Sequence, residues 1–396
     1  MKLDPAAWLD RPGIKPLLAA LDAGEGATRL VGGAVRDLAL GQEVADLDLA
    51  TRLRPDAVIA RLEAARIKSV PTGLAHGTVT AVTAGTVVEV TTLRSDVTTD
   101  GRRATVAFTD DWAADAARRD FTLNALYADP LSGALFDPTG DGLADLAARH
   151  VRFIGAPLSR IAEDHLRILR FFRFHARFGR GEPDADALAA CTARANDLMS
   201  LSRERIADEL LKLLALPDPL ATIRLMIDRG ILRPVLPEVA SAERLVALLD
   251  AERAADLPGD ALRRLSALLP RDPLVAAKIG ARLKLSLKAR QRLAQAADPT
   301  DLGAPQVHAY RLGTESAVDR LLVANRWAEA REISTWPVPR LPLSGGALIA
   351  RGVPQGPLVA KTLRRIEQDW LDAGLPAGPA FDALVTPAIA ATLAAR

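Results

Sequence analysis

The pattern of apolar and polar positions changes character near residue 140. Before that point, short runs with a period of two alternate with stretches of helical spacing. Thr28-Arg-Leu-Val31 reads as a strand and feeds a Gly32-Gly33 turn, after which Ala34 to Leu40 has helical character. Ala45 to Thr51 alternates again as Asp-Leu-Asp-Leu. On a strand this puts Asp46 and Asp48 on one face and Leu47 and Leu49 on the other. A helical stretch from Pro55 to Ala65 precedes two further period-two runs, Gly77 to Thr83 and Thr86 to Thr92, joined by Ala84-Gly85. That is a hairpin signature. These elements predict a small, mixed, mostly antiparallel sheet backed by helices.

After residue 140 the alternation stops, and Leu/Ala stretches with Arg and Glu at helical spacing run almost to the end. Arg203 to Leu214 is typical, as is Pro219 to Arg229, which Asp218 and Pro219 open and Gly230 closes. The fold class is therefore α+β, with a sheet domain followed by all-α domains. A chain of 396 residues is too long for one ordinary core. Pro234 to Pro237 and Leu257-Pro258-Gly259 are the candidate breaks. The expected division is 1–140, 141–237 and 238–396.

A formal charge of only +2 says nothing of a nucleic-acid partner, which would have to show as a local basic patch. One such patch exists: Ser159 to Arg180 holds six arginines against two acids. The single cysteine, Cys191, excludes an internal disulfide and any multi-cysteine zinc site. Residues 69–88 carry no Asp, Glu, Lys or Arg, but Pro71, three glycines and five threonines read as strands and turns rather than a membrane span. Met1 to Asp10 has no apolar signal-peptide core. The expectation is a cytoplasmic protein with no membrane partner.

Four constellations could carry chemistry, and each has an ordinary structural reading beside it. Asp46 and Asp48 repel each other unless a cation lies between them, and hard carboxylate oxygens suit magnesium; a solvated pair at a strand end is the alternative. Glu89, flanked by Val88 and Val90, is either a third carboxylate of that site or an exposed strand residue. Gly32-Gly33 frees backbone N–H groups to approach phosphate, with Arg36 as a charged partner, or simply supplies positive φ. In Arg118-Arg-Asp-Phe-Thr-Leu-Asn124, Asp120 could accept a ribose hydroxyl proton and the two arginines, Arg118 and Arg119, could hold phosphate, or Asp120 caps a helix. Ile161 to Phe174 reads as one helix on which Arg167 lies about 60° from Asp164, so the pair either reads the edge of a base or forms an intrahelical salt bridge. Phe171, Phe172 and Phe174 read as core.

Taken in order, these pieces resemble the class II branch of the nucleotidyltransferase superfamily, and specifically the tRNA CCA-adding enzymes. The likeness rests on Gly32-Gly-x-Val-Arg-Asp37, Asp46-x-Asp48-x-Ala-Thr51, Gly73-x-x-His-Gly-Thr-Val79, Arg118-Arg-Asp-Phe-Thr-x-Asn-Ala125, Asp137-Pro-x-Gly-x-Gly142 and Glu163-Asp-x-x-Arg-x-x-Arg170. It is close over residues 28–178 and looser beyond. The resemblance implies a nucleotidyltransferase head (1–140), a helical neck (141–237) and a helical body and tail (238–396) that binds tRNA. It implies addition of C, C and A to the tRNA 3′ end from CTP and ATP with two Mg²⁺ ions. Asp46 and Asp48, with Glu89 a further candidate, then hold metal; Gly32, Gly33 and Arg36 hold triphosphate. Arg118, Asp120 and Asn124 hold ribose, and Asp164 and Arg167 read the base with support from Glu163 and Arg170. Residues between Arg94 and Trp112, with Asp96, Asp100 to Arg103 and Phe108, resemble the loop that switches the pocket from C to A. The rivals are a bacterial poly(A) polymerase, a CC-only or A-only adding enzyme, and an inactive RNA-binding protein on the same scaffold.

Overall fold

A computed structural model describes residues 2–44, 46–99 and 104–394. The chain divides into two compact units, Met1–Pro237 and Glu238–Arg396. Residues 1–140 and 141–237 both lie in the first unit, and Leu257-Pro258-Gly259 is no boundary: it turns between the helices Glu243–Ala255 and Ala261–Leu268 inside the second.

The first unit holds strands β1 (Thr28–Val31), β2 (Leu47–Thr51), β3 (Lys68–Gly73), β4 (Thr78–Thr83), β5 (Thr86–Thr92), β6 (Arg94–Thr99), β7 (Ala104–Phe108), β8 (Tyr127–Ala128) and β9 (Leu135–Phe136). Seven form one sheet in the order β3-β4-β5-β2-β1-β8-β9, while β6 and β7 form a separate antiparallel ribbon. Every pair in the large sheet is antiparallel except β2 with β5, which sets Asp48 directly beside Glu89. The alternation works as the pattern predicts: Leu47, Leu49, Val88 and Val90 are all buried on one face, each contributing about 1.5–3 kcal/mol of burial. Asp48 is left facing the other way. The β4-β5 turn uses Ala84 and Gly85, both at positive φ (45° and 88°), as a twisted two-residue hairpin requires.

Helices close the unit around an aromatic core in which the Phe121 ring lies 4.9–6.4 Å from those of Phe153, Phe171 and Phe174, and Phe153 stacks on Phe171 at 5.7 Å. The spacing of Ile161 to Phe174 predicts one helix, whereas the structure makes two, Pro157–Glu163 and Arg167–Phe178. Asp164 is extended at the break (φ −152°, ψ 107°), and its Oδ1 accepts the Leu166 N–H at 3.1 Å. A short side-chain acceptor has displaced the helical ladder. The predicted sharing of a helix face by Asp164 and Arg167 is therefore corrected.

Among its described residues, the second unit has helices as its only regular elements. It has two apolar clusters, one around Leu248, Leu321 and Ile333 and one around Leu348, Ile366 and Trp370. A buried ion network, in which Asp319 accepts from Arg263 and Arg292, ties together the first of these regions.

Candidate active site

Gly32 ends β1 and stands at φ 70°, ψ −128°, so the chain can turn sharply into the helix Gly33–Ala39. This is a conformation that a Cβ makes costly, although space is not limiting, since the nearest atom to an added Cβ is Arg119 Nη1 at 3.5 Å. The turn forms one wall of a cleft of about 470 Å³ that also takes in Asp48 from β2, Arg118, Arg119, Asp120 and Asn124, and Asp164, Arg167, Arg170 and Phe174. Most of the residues singled out from sequence meet there. Asp46, Glu89 and Glu163 do not line the cleft.

Asp46 lies exposed just ahead of β2, not on the strand. It and Glu89 still act on Asp48, whose carboxyl is raised above its ordinary value by burial first and then by Glu89 and Asp46, against the pull of Arg119. Oxygen donors crowded with negative charge fit a hard divalent cation. Among the described residues no three carboxylate, histidine or cysteine side chains group into a metal cage. One or two carboxylates completed by phosphate oxygens is the usual arrangement for magnesium.

Arg36 is buried at 6% exposure, donates to Asp37 at 2.7 Å and to Asn124 Oδ1, and lies over the Phe178 ring. Asp120 is engaged on both oxygens. Oδ1 accepts from the Phe121 N–H and from Asn124 at 2.9 Å, while Oδ2 accepts from Arg170 Nε at 2.8 Å and Nη2 at 2.5 Å. Burial works against its charge, but the Arg170 guanidinium and the Asn124 amide hold its carboxyl below the usual range. It is an anchor for its neighbours, and the helix-cap reading does not apply.

Asp164 and Arg167 are held by separate partners. Arg167 donates to Glu163 Oε2 at 2.5 Å and to the carbonyls of Arg160 and Arg118 at 2.8 and 3.0 Å. Asp164 Oδ2 accepts from Arg205 Nη2 at 2.7 Å, so neither forms the intrahelical salt bridge with the other.

The arginine-rich run from 159 to 180 is not an open basic patch. Arg160 and Arg167 pair with Glu163, Arg170 with Asp120 and Glu209, Arg173 with Glu209, and Arg177 with Asp37. Phe171, Phe172 and Phe174 are core, as their spacing predicts, with Phe174 also reaching the cleft.

Sequence reasoning missed Asp115, Arg205 and Glu209. Asp115, at 1% exposure, accepts from Arg118 at 2.8 Å, Arg119 at 2.9 Å, the Tyr127 hydroxyl at 2.6 Å and the Arg94 N–H at 3.2 Å. Burial pushes its carboxyl up, but Arg119, Arg118 and Tyr127 outweigh this and hold it at about 2. Arg119, offered with Arg118 as a phosphate holder, does line the cleft; the three missed residues gave no signal, because their partners are fixed by the fold. Of the switching-loop segment, Arg94 and Phe108 frame the β6-β7 ribbon, with Arg94 Nη1 donating to the His76 carbonyl at 2.5 Å, while Asp100 to Arg103 lie outside the described residues.

Comparison with known proteins converges on one family. Residues 28–152 match the family model "Poly A polymerase head domain", and residues 182–243 match "Probable RNA and SrmB- binding site of polymerase A". The mitochondrial CCA tRNA nucleotidyltransferase 1 of Mus musculus is 33% identical over 91% of this chain and 87% of its own length. A CCA-adding enzyme of Levilactobacillus brevis is 33% identical over 94% and 96%. The crystal structure of the Bacillus stearothermophilus CCA-adding enzyme in complex with CTP superposes with a TM-score of 0.75 at 26% identity, over 95% of this chain and 98% of that one. The chain belongs to the class II tRNA CCA-adding enzymes.

Proposed function

We propose that this protein adds C, C and A in turn to the 3′ end of tRNA, using CTP and ATP and releasing pyrophosphate. The observation that carries this reading is that a single cleft is lined both by Asp48 beside the Gly32-Gly33 turn and by Asp164 and Arg167. On this reading a triphosphate end and a base-reading end share one cavity. In the reaction the tRNA 3′ oxygen bonds to the α-phosphorus, the bond to the β-phosphate oxygen breaks, and pyrophosphate leaves in line.

Asp46 and Asp48 are the residues that would hold Mg²⁺, with Glu89 beside Asp48 on the neighbouring strand. Two such ions, when bound, neutralise the triphosphate and favour the alkoxide form of the attacking hydroxyl. The Gly33 N–H, with Arg36 and Arg119 from the cleft wall, would meet the phosphates, while the Gly32 N–H is tied to the Leu126 carbonyl at 3.0 Å and fixes the turn. Arg118 and Asn124 are left to hold the ribose, while Asp120, whose oxygens are taken up by Arg170, Asn124 and the Phe121 N–H, fixes Asn124 in place. At the far end the carboxylate of Asp164 accepts and Arg167 donates, with Glu163 fixing Arg167. Cytosine N4 and adenine N6 are amino donors, while uracil and guanine present carbonyl oxygens at that edge. An acceptor-only carboxylate there favours C and A.

The head, neck and body division at 140 and 237 and the cytoplasmic location belong to the same proposal; the bacterial relative supports the latter, and no helix among the described residues is long and apolar enough to cross a membrane. The polymerase reading keeps one observation, the description of the matching head-domain model. Extension of a tRNA ending at its discriminator base, read at single-nucleotide resolution with magnesium and CTP, ATP or both, separates them. Two C residues, then one A only with both nucleotides, is the expected result. Long A tails would establish the polymerase, CC or A alone a partial enzyme, and no extension an inactive scaffold.

A further inference from the structure

The helix Arg203–Leu214 does not line the nucleotide cleft, yet two of its side chains, one turn apart, carry cleft residues. Arg205 donates to Asp164 Oδ2 at 2.7 Å. Glu209, at 3% exposure, accepts from Arg173 at 2.6 Å and from Arg170, and Arg170 grips Asp120. The base side and the sugar side of the cleft are thus braced from one element whose contacts span 36 to 41 positions in sequence.

The Asp164 carboxylate depends on this brace more than Arg167 does. Arg167 has three acceptors, from Glu163, Arg160 and Arg118. Asp164 sits in the extended break between two helices, with one local contact to the Leu166 N–H and one cation, Arg205. The two contacts use one lone pair on each oxygen and leave the others to accept an amino group. Without Arg205 the side chain keeps a single tether and can rotate about χ1 and χ2. An acceptor that moves discriminates less, because selectivity depends on a donor of the wrong base finding no partner at a fixed point.

We propose that Arg205 is a positioning residue for nucleotide selection, acting by fixing the Asp164 carboxylate in its base-accepting orientation. This rests on the reading of Asp164 as the base-reading acid. Arg205 is partly exposed (39% of its side chain), so its replacement leaves no buried charge behind.

The test compares Asp164→Ala, Arg205→Gln, Arg205→Lys and a control on the same helix, Lys212→Gln, in the full-length protein with tRNA, magnesium and each of the four nucleoside triphosphates. Thermal unfolding and tRNA affinity are recorded in parallel. Arg205→Gln is expected to lower the kcat/KM ratio of correct over incorrect nucleotide by about tenfold, the scale of a charge-assisted hydrogen bond, with KM for the correct nucleotide raised and unfolding temperature and tRNA affinity unchanged. Arg205→Lys restores part of the ratio, Lys212→Gln changes nothing, and Asp164→Ala combined with Arg205→Gln is no worse than Asp164→Ala alone. If Asp164→Ala relaxes selection and Arg205→Gln does not, the Arg205 proposal is overturned and the Asp164 reading stands. Unchanged selection in Asp164→Ala overturns the Asp164 reading itself. A fall in unfolding temperature that accounts for the whole loss in Arg205→Gln, with no recovery in Arg205→Lys, would make the role structural and likewise overturn the proposal.

Discussion

At the scale of single residues, the cleft is made of charges whose partners set their duties. Asp48 has like charges for neighbours and is pushed up by burial, Glu89 and Asp46, the state of a carboxylate that gains most from a cation. Asp46→Ala should abolish nucleotide addition while leaving tRNA binding, measured by gel shift, nearly intact; normal turnover in magnesium would refute the metal assignment. Asp115 is the opposite case. Its carboxyl is held at about 2 in the folded protein against an ordinary 3.8, so its stabilisation is fully present above about pH 4 and is lost as pH falls toward 2. The shift corresponds to about 2 kcal/mol. Asp115→Asn should destabilise the protein at pH 7, and the gap from the parent in urea unfolding should narrow as pH drops through that window. A gap that stays constant to pH 2 would mean that charge is not what Asp115 contributes.

At the scale of elements, most of the strand pattern was legible before the structure. Period-two runs report which face of a segment is buried, and the β4-β5 hairpin, the buried faces of β2 and β5 and the Gly32 turn all sit where that pattern puts them. The helix break at Asp164 was not legible, because the spacing of Ile161 to Phe174 is helical on both sides and one side-chain acceptor decides the interruption. Nor was the fate of the arginine run, since composition counts charges and cannot see the carboxylates that face them. The helix Arg203–Leu214 shows what that hides. Glu209→Ala removes the shared partner of Arg170 and Arg173 and should destabilise the protein by about 3 kcal/mol, the cost of stranding partly buried charge. Denaturant unfolding measures it, and a loss below about 1 kcal/mol, the scale of an exposed pair, would show that water replaces Glu209 freely.

At the scale of the whole molecule, every residue lining the nucleotide cleft belongs to the unit Met1–Pro237, whereas the Arg263, Arg292 and Asp319 network belongs to Glu238–Arg396. Asp319 is fully buried between its two guanidinium partners. Asp319→Ala should therefore cost about 3–5 kcal/mol, seen as earlier unfolding in denaturant, with CTP affinity unchanged at a temperature where the chain is folded. Loss of CTP affinity under those conditions would tie the network to the cleft. The sequence alone determined the α+β class, the strand faces, the Gly32-Gly33 turn and, through the order of its motifs, the resemblance to the CCA-adding enzymes. These are local or additive properties, written in spacing and residue type. Only the tertiary structure decided which acid meets which arginine. Asp164 meets Arg205 across 41 positions, and Asp120 meets Arg170 across 50. A guanidinium at a given position looks the same in sequence whether it faces solvent, a substrate or a buried carboxylate, and its environment, set by packing, is what gives it a role.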